Sequence, residues 1–184
     1  SIPGPEVDAA LRAALPQAKG ATKSGIIDTL GDREDKQAVP LLVPLLADDA
    51  MAEAAARALG KIGSQDAAKA LQAALPKAVA PQRNAMLDGL LRCAEALRGT
   101  DAETARTLYS SLHGEKTPKH IRIAALRGAA LVAEDPAAAT VRLLTAKDAA
   151  AHIAGLALVR RIDGKEATAA FADALGTMSP EMQV

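Results

Sequence analysis

The sequence predicts an all-α fold, and three observations carry that prediction. Ala, Leu, Lys, Arg and Glu, all strong helix formers, dominate the chain. β-Branched residues are sparse and never alternate with polar ones over the length of a strand. A unit of two short amphipathic helices also recurs. It is clearest at residues 48–75, where an acidic turn leads into an Ala/Leu helix, a Gly stop and a second amphipathic helix. About half of the residues (49%) are apolar, but they are mostly Ala with Leu, and Phe171 and Tyr109 are the only aromatics. Small side chains let helices approach closely yet each supplies little buried area, so stability must come from many stacked contacts.

The elements follow in order. Residues 5–16 read as a helix, with Pro5 suited to a first helical position and Val7, Leu11 and Leu15 on one face. Gly20 opens a second helix carrying Ile26, Ile27 and Leu30, closed near Gly31. The run Asp32-Arg33-Glu34-Asp35 is a connecting turn. Residues 38–46 form a helix with two prolines. Pro40 fits its first turn, whereas Pro44 removes an interior hydrogen bond and should kink it. Asp48 and Asp49 cap a helix over 50–62 that Gly63 ends, and residues 66–75 make the next. Pro81 starts a helix reaching toward Leu97, and Asp101 caps one through Leu112. Thr117-Pro118 and Asp135-Pro136 are N-cap and first-position proline pairs that open helices over 119–132 and 136–144. Asp148 caps 149–162, Gly164 stops it, and residues 166–175 form the last full helix.

The second helix of each pair superposes on one apolar column: Ile27, Ala56, Leu87, Leu126 and Leu156, with steps of 29, 31, 39 and 30 residues. A near-constant period of two helices is the mark of a solenoid, in which no unit buries its apolar face alone. The long step falls around residues 92–102, where an extended helix or loop accommodates it.

Ala38-Val-Pro-Leu-Leu, then Leu45-Leu-Ala-Asp48, then Ala54-Ala-Ala-Arg-Ala-Leu-Gly-Lys-Ile-Gly63 resemble the HEAT repeat, in the short bacterial variety first associated with phycobilin lyases. One copy is close and four are degenerate, together covering nearly the whole chain. The resemblance implies a right-handed α-α superhelix of about five antiparallel helix pairs. Second helices would line the concave side, where the family typically binds other macromolecules. The family also often links an acidic turn residue to a basic residue early in the second helix, as a ladder between repeats. The basic column here would be Lys23, Ala52, Arg83, Arg122 and His152, while the acidic turn is clear only at Asp48/Asp49 and Asp148. The ladder is therefore expected to be broken, leaving Arg83 and Arg122 free or solvated.

The column after the apolar one is Asp28, Arg57, Asp88, Arg127 and Ala157, with alternating sign. Pairs Asp28–Arg57 and Asp88–Arg127 are expected between neighbouring repeats, contributing about 0–1 kcal/mol each when exposed. They either keep an exposed groove soluble or form a polar strip for a partner. Lys116, Lys119, His120, Arg122 and Arg127 cluster against Glu115 alone, with Arg160, Arg161 and Lys165 one repeat later. Twenty-two basic residues balance twenty-two acidic ones, and stacking aromatics are lacking, which argues against nucleic acid as the partner.

His113, Glu115 and His120 make a weak metal pattern, and with three His and one Cys a closed zinc site would need distant carboxylates. Cys93 shares a helical face with Met86 and Leu90 and reads as a small core residue rather than a nucleophile or bilin attachment point. It leaves no intrachain disulfide and so says nothing of compartment. There is no nucleophile elbow and no phosphate-cradling glycine loop. No signal peptide and no membrane-spanning apolar run is evident.

The expectation is a single repeat domain over residues 1–184 that forms part of a longer protein, since it begins at Ser1 and Ser179-Pro180-Glu181 looks like a helix start. Its expected role is a non-catalytic scaffold, without cofactor or metal, that holds a protein along the concave face. Arg57, Arg83, Asp88, Arg122 and Arg127 are the candidate contact residues. The alternatives are a lyase-like or metal-dependent enzyme domain of the HEAT-like type, or a structural spacer in a multidomain protein.

Overall fold

A computed structural model describes residues 4–114 and 116–176. Glu115 and the Ser179-Pro180-Glu181 helix start lie outside the described residues. The fold is all-α, with eleven α-helices and no strand among the described residues. The chain divides into two compact units, Ser1–Leu108 and Tyr109–Val184, and the division falls inside one helix, Ala102–Ser111.

In the first unit, α1 (Pro5–Ala14) pairs with α2 (Gly20–Asp32). The first helix of the next pair is broken, as two prolines require. A 3₁₀ turn at Lys36–Ala38 leads into a single α turn, α3 (Val39–Leu42), and the chain returns to 3₁₀ geometry over Val43–Ala47, at Pro44. Without an amide hydrogen at Pro44, the i→i−4 bonding cannot continue, and the tighter spiral takes over. Its partner α4 (Ala52–Ile62) ends at Gly63, which takes left-handed geometry with φ 62°. The third pair is α5 (Gln65–Ala74) with α6 (Gln82–Leu97). Ser64 caps α5, its hydroxyl accepting from the Ala67 amide at 3.2 Å.

The three second helices of this unit stack side by side, α4 between α2 and α6. Glycine and alanine at the crossings make that stack close. A Cβ built on Gly31 of α2 would lie 2.8 Å from Ala58 Cα, so this crossing has room for a hydrogen only. Ala54, Ala55, Ala56, Ala58, Leu59 and Gly60 of α4 are all buried. Ile27 and Leu87 are buried as well, so the apolar column holds through the first three repeats.

Two ion pairs that the periodicity did not reveal fasten the first repeat. Arg33 donates through Nε to the Asp8 carboxylate and through a terminal nitrogen to Gly4 O, at 3.2 Å for the latter. Arg12 pairs with Asp35, which is buried and also accepts from the Gln37 amide at 3.0 Å. The Asp32–Asp35 run is thus more than a solvated turn, because its Arg33 and Asp35 tie α1 to the following 3₁₀ turn.

The chain passes through α7 (Ala102–Ser111), whose start Asp101 caps by accepting from the Thr104 amide at 3.1 Å. In the second unit, α8 (Lys119–Leu131), α9 (Pro136–Leu144), α10 (Ala149–Leu158) and α11 (Lys165–Gly176) follow. Second helix α10 packs on second helix α8 and on its own partner α9, and α11 packs on α9. Asp135 and Asp148 cap α9 and α10, accepting from Ala138 at 2.9 Å and Ala151 at 3.0 Å. Thr117 is buried and Pro118 stands at the N-cap of α8, without a side-chain cap. The Tyr109 ring is fully buried against Gly128 of α8, in space that a Cβ there would occupy.

The apolar column does not hold to its end. Leu126 is half-buried, and Leu156 is 44% exposed. The core of α10 is one and two positions away, at Ala154, Gly155 and Leu158. Gly155 takes the tight place, its would-be Cβ 2.7 Å from the Leu144 amide nitrogen of α9. In Ala-rich helices several columns are equally apolar on paper, and the close crossing selects among them.

Candidate functional site

In the first unit, burial of α4 from both flanks leaves one line of its surface open. Glu53, Arg57 and Lys61, each four residues from the next, form that line, with Arg57 exposed and the other two half-buried. On α2 it is flanked by Asp28 and Asp32, and on α6 by Asp88, Arg92 and Glu95. A shallow groove of about 610 Å³ runs across the ends of these helices, bordered by Asp32, Lys61, Asp88 and Arg92. Its four carboxylates (Asp32, Glu34, Asp88, Glu95) outnumber its two cations (Lys61, Arg92), which gives it an acidic bias.

The charges in this strip are paired mostly along one helix. Arg57 faces Glu53 at 3.9 Å, and Arg92 donates to Asp88 at 2.8 Å. These replace the expected Asp28–Arg57 and Asp88–Arg127 partners. A carboxylate four residues away on the same helix is closer than one across the groove, so the local pair forms. Lys61 instead pairs across the strip with Asp32 of the neighbouring second helix, at 2.5 Å. Lys61 and Asp32 belong to no column singled out from the sequence. Their signal was an offset of 29 residues between opposite charges at two helix ends.

The ladder residues differ from expectation. Arg122 is not free: it bonds Asp148 at 2.8 Å, so a rung does join the fourth repeat to the turn of the fifth. Arg83 donates to Leu75 O at 3.2 Å, satisfying a carbonyl at the end of α5. Arg127, half-buried on α8, has its Nε–H buried without a partner among the described residues. Of the five candidate contact residues, Arg57 and Asp88 stand on adjoining helices α4 and α6, Asp88 bordering the groove and Arg57 on the open line of α4 one turn before Lys61. Arg83 is turned to the α5 end. Arg122 and Arg127 lie on α8 in the second unit.

The nucleophile and metal candidates are placed as follows. Cys93 is buried on α6 with its thiol 3.7 Å from Leu59 O, and burial pushes its pKa up to about 12. A thiol so placed stays protonated near neutral pH and cannot attack or ligate as a thiolate. His113 is half-buried. Loss of solvent, with the Arg122 charge, holds its imidazole below its ordinary range against a hydrogen bond with the Ala125 backbone. Among the described residues, no three His, Cys, Asp or Glu side chains converge on a point that could hold a metal. No described helix is long and apolar enough to cross a membrane.

Residues 7–91 match the family model for HEAT repeats. No curated protein matches the sequence. Among solved structures, the crystal structure of an engineered protein is similar over 98% of this chain and 93% of its own, with 21% identity and a TM-score of 0.48. The matched segment holds α2, α4 and most of α6, the three stacked second helices that carry the polar strip. The similarity to HEAT repeats thus covers residues 7–91, a little under half of the chain.

Proposed function

We propose that the chain is a non-catalytic scaffold that holds a protein partner along the open face of its second helices. HEAT repeats serve generally as protein-interaction scaffolds, and the family is generally non-enzymatic. The observation that carries the proposal here is the Glu53–Arg57–Lys61 line on α4, kept at the surface between flanking carboxylates while the rest of the helix is sealed by its neighbours. A row of charges on closely stacked helices offers orientation and register rather than large buried area. It suits a partner with a complementary polar face and an excess of basic groups. Arg57 and Asp88 are the central contact residues. Arg83, Arg122 and Arg127 are assigned a lesser share, since the first two are engaged by Leu75 O and Asp148.

The test is charge reversal in the polar strip. The double variant Arg57→Glu with Asp88→Lys changes exposed or half-exposed positions and should leave circular dichroism unchanged. Specific partners retained by the immobilised wild-type chain from its native extract are expected to fall by about tenfold or more, the loss of one or two charged contacts. Full retention of every specific partner by the double variant would overturn the proposal and favour the spacer reading.

A further inference from the structure

The first unit holds a second groove, of about 310 Å³, between the 3₁₀ segment Val43–Ala47, the end of α5 and the starts of α4 and α6. Its walls are apolar. Val43 is 40% exposed and Val79 68%, two of the four large apolar side chains left open among the described residues. Ala47, Ala52, Ala74 and Ala78 also line it and are too short to close it. One polar side chain among these walls lacks a partner. Gln82, the first residue of α6, is half-buried, and its side-chain carbonyl oxygen is buried without a hydrogen bond from any described residue. Burial strips water from this acceptor, and leaving it unmatched is costly. The terminal torsion of a glutamine is soft, so the carboxamide can turn toward a ligand in the groove. Asp49 and Lys77 complete the rim, both exposed and neither in an ion pair among the described residues.

From these features we infer that the groove receives one apolar side chain of an extended peptide segment from a partner, with Gln82 hydrogen-bonding the segment's main chain beside it. A main-chain amide presents one donor and one acceptor, the counterpart of a carboxamide. A plain hydrocarbon chain would occupy the same space and leave the Gln82 oxygen unmatched. The rim carries one charge of each sign, so the matching segment has a basic and an acidic residue flanking its apolar one. The volume is at the small end for a ligand pocket and suits one aliphatic side chain with its neighbouring amide.

NMR titration of the full chain with short capped peptides tests this. Acetyl-Lys-Leu-Glu-amide or its reverse, acetyl-Glu-Leu-Lys-amide, is expected to shift the Val43 and Val79 methyl resonances with a Kd of about 1 mM. The better of the two should bind about threefold tighter than acetyl-Ala-Leu-Ala-amide at low salt, an advantage lost at about 1 M salt. Glycine in place of the peptide's leucine should abolish the shifts. Gln82→Met, which removes the amide and keeps the length, should weaken the peptide about three- to tenfold. It should leave unchanged the affinity of isobutyl methyl ketone, an apolar probe without an N–H. Val79→Asp, at an exposed position, should lose peptide binding with circular dichroism unchanged. Val43 and Val79 methyls that stay unshifted at about 10 mM leucine peptide overturn the inference. So does an unchanged peptide affinity in Gln82→Met, or an equal fall for peptide and ketone. Charged peptides that bind no better than the alanine one overturn the part given to Asp49 and Lys77. Arg57→Glu with Asp88→Lys should leave these shifts intact, since neither residue lines this groove, so its failure and that of the polar strip are told apart.

Discussion

Gly60 on α4 meets Gly89 on α6 backbone to backbone: a Cβ on Gly60 would lie 2.7 Å from Gly89 Cα, and one on Gly89 would lie 2.8 Å from Ala56 O. In both cases the nearest neighbour is main chain and cannot swing aside. Gly60→Ala should therefore destabilise the chain by about 1–2 kcal/mol, the cost of overpacking outweighing alanine's gain in helix propensity of about 1 kcal/mol. Gly25→Ala is the control. Gly25 is exposed on α2 with nothing within 4 Å of its would-be Cβ, and the same substitution should stabilise by about 0.5–1 kcal/mol. Urea unfolding of both variants checks the opposite signs; a stabilising Gly60→Ala would mean that the helices are not in contact there.

Asp148 has two roles that substitution can separate. Its carboxylate caps α10 through Ala151 and pairs with Arg122. Asp148→Asn keeps the cap and loses the charge pair, and should cost no more than about 0–1 kcal/mol. Asp148→Ala loses both and should cost about 1 kcal/mol more. Combining each with Arg122→Ala in a double-mutant cycle, read by thermal unfolding, should give coupling with aspartate and almost none with asparagine.

Cys93 should be silent toward thiol reagents in the folded chain. With its pKa pushed up to about 12 by burial, almost no thiolate exists at pH 8. Reaction with an aromatic disulfide should be slow in buffer and complete within minutes in denaturant. Fast labelling of the native chain would contradict its place beside Leu59.

The second unit should lose stability in mildly acidic solution through His113. Its folded pKa is depressed, chiefly by burial, below the ordinary 6.5, so the unfolded chain takes up its proton first. Stability from this residue is complete above about pH 6.5 and declines as pH falls from there toward the folded value. Tyr109, the chain's sole tyrosine and fully buried, reports unfolding of this unit by fluorescence. His113→Gln should flatten the dependence over that pH interval. An equally steep profile in that variant would assign the effect to other groups.

Much of the architecture was legible because its causes are local. Pro44 breaks a helix wherever it lies in the interior, Gly63 ends one through its left-handed geometry, and Asp135 and Asp148 cap the next residues in the chain. Ile27, Ala56 and Leu87 mark the buried line for the same reason, a period fixed by helix geometry. What eluded the sequence depends on packing. Asp8–Arg33 and Arg12–Asp35 join residues 25 and 23 apart, a separation that no helical period selects. Leu156 looked like Leu87, and only the Gly155 crossing on α9 shows that α10 is turned to bury its neighbours instead. In the polar strip, Arg57 and Asp88 were readable as a polar column, but their partners Glu53 and Arg92 were not, because a nearer carboxylate or guanidinium took precedence.

The glycine and alanine seam that joins α2, α4 and α6 constrains what can bind across it. Main chain resting on main chain cannot be compressed, and any added carbon forces the helices apart. The interval between successive rows of charge is thus fixed by the backbone and is indifferent to which residues occupy the rows. Substitution can rewrite the sign at Arg57 or Asp88 without changing the spacing. A ligand's matching groups must be ruled to that same interval, whatever its own fold.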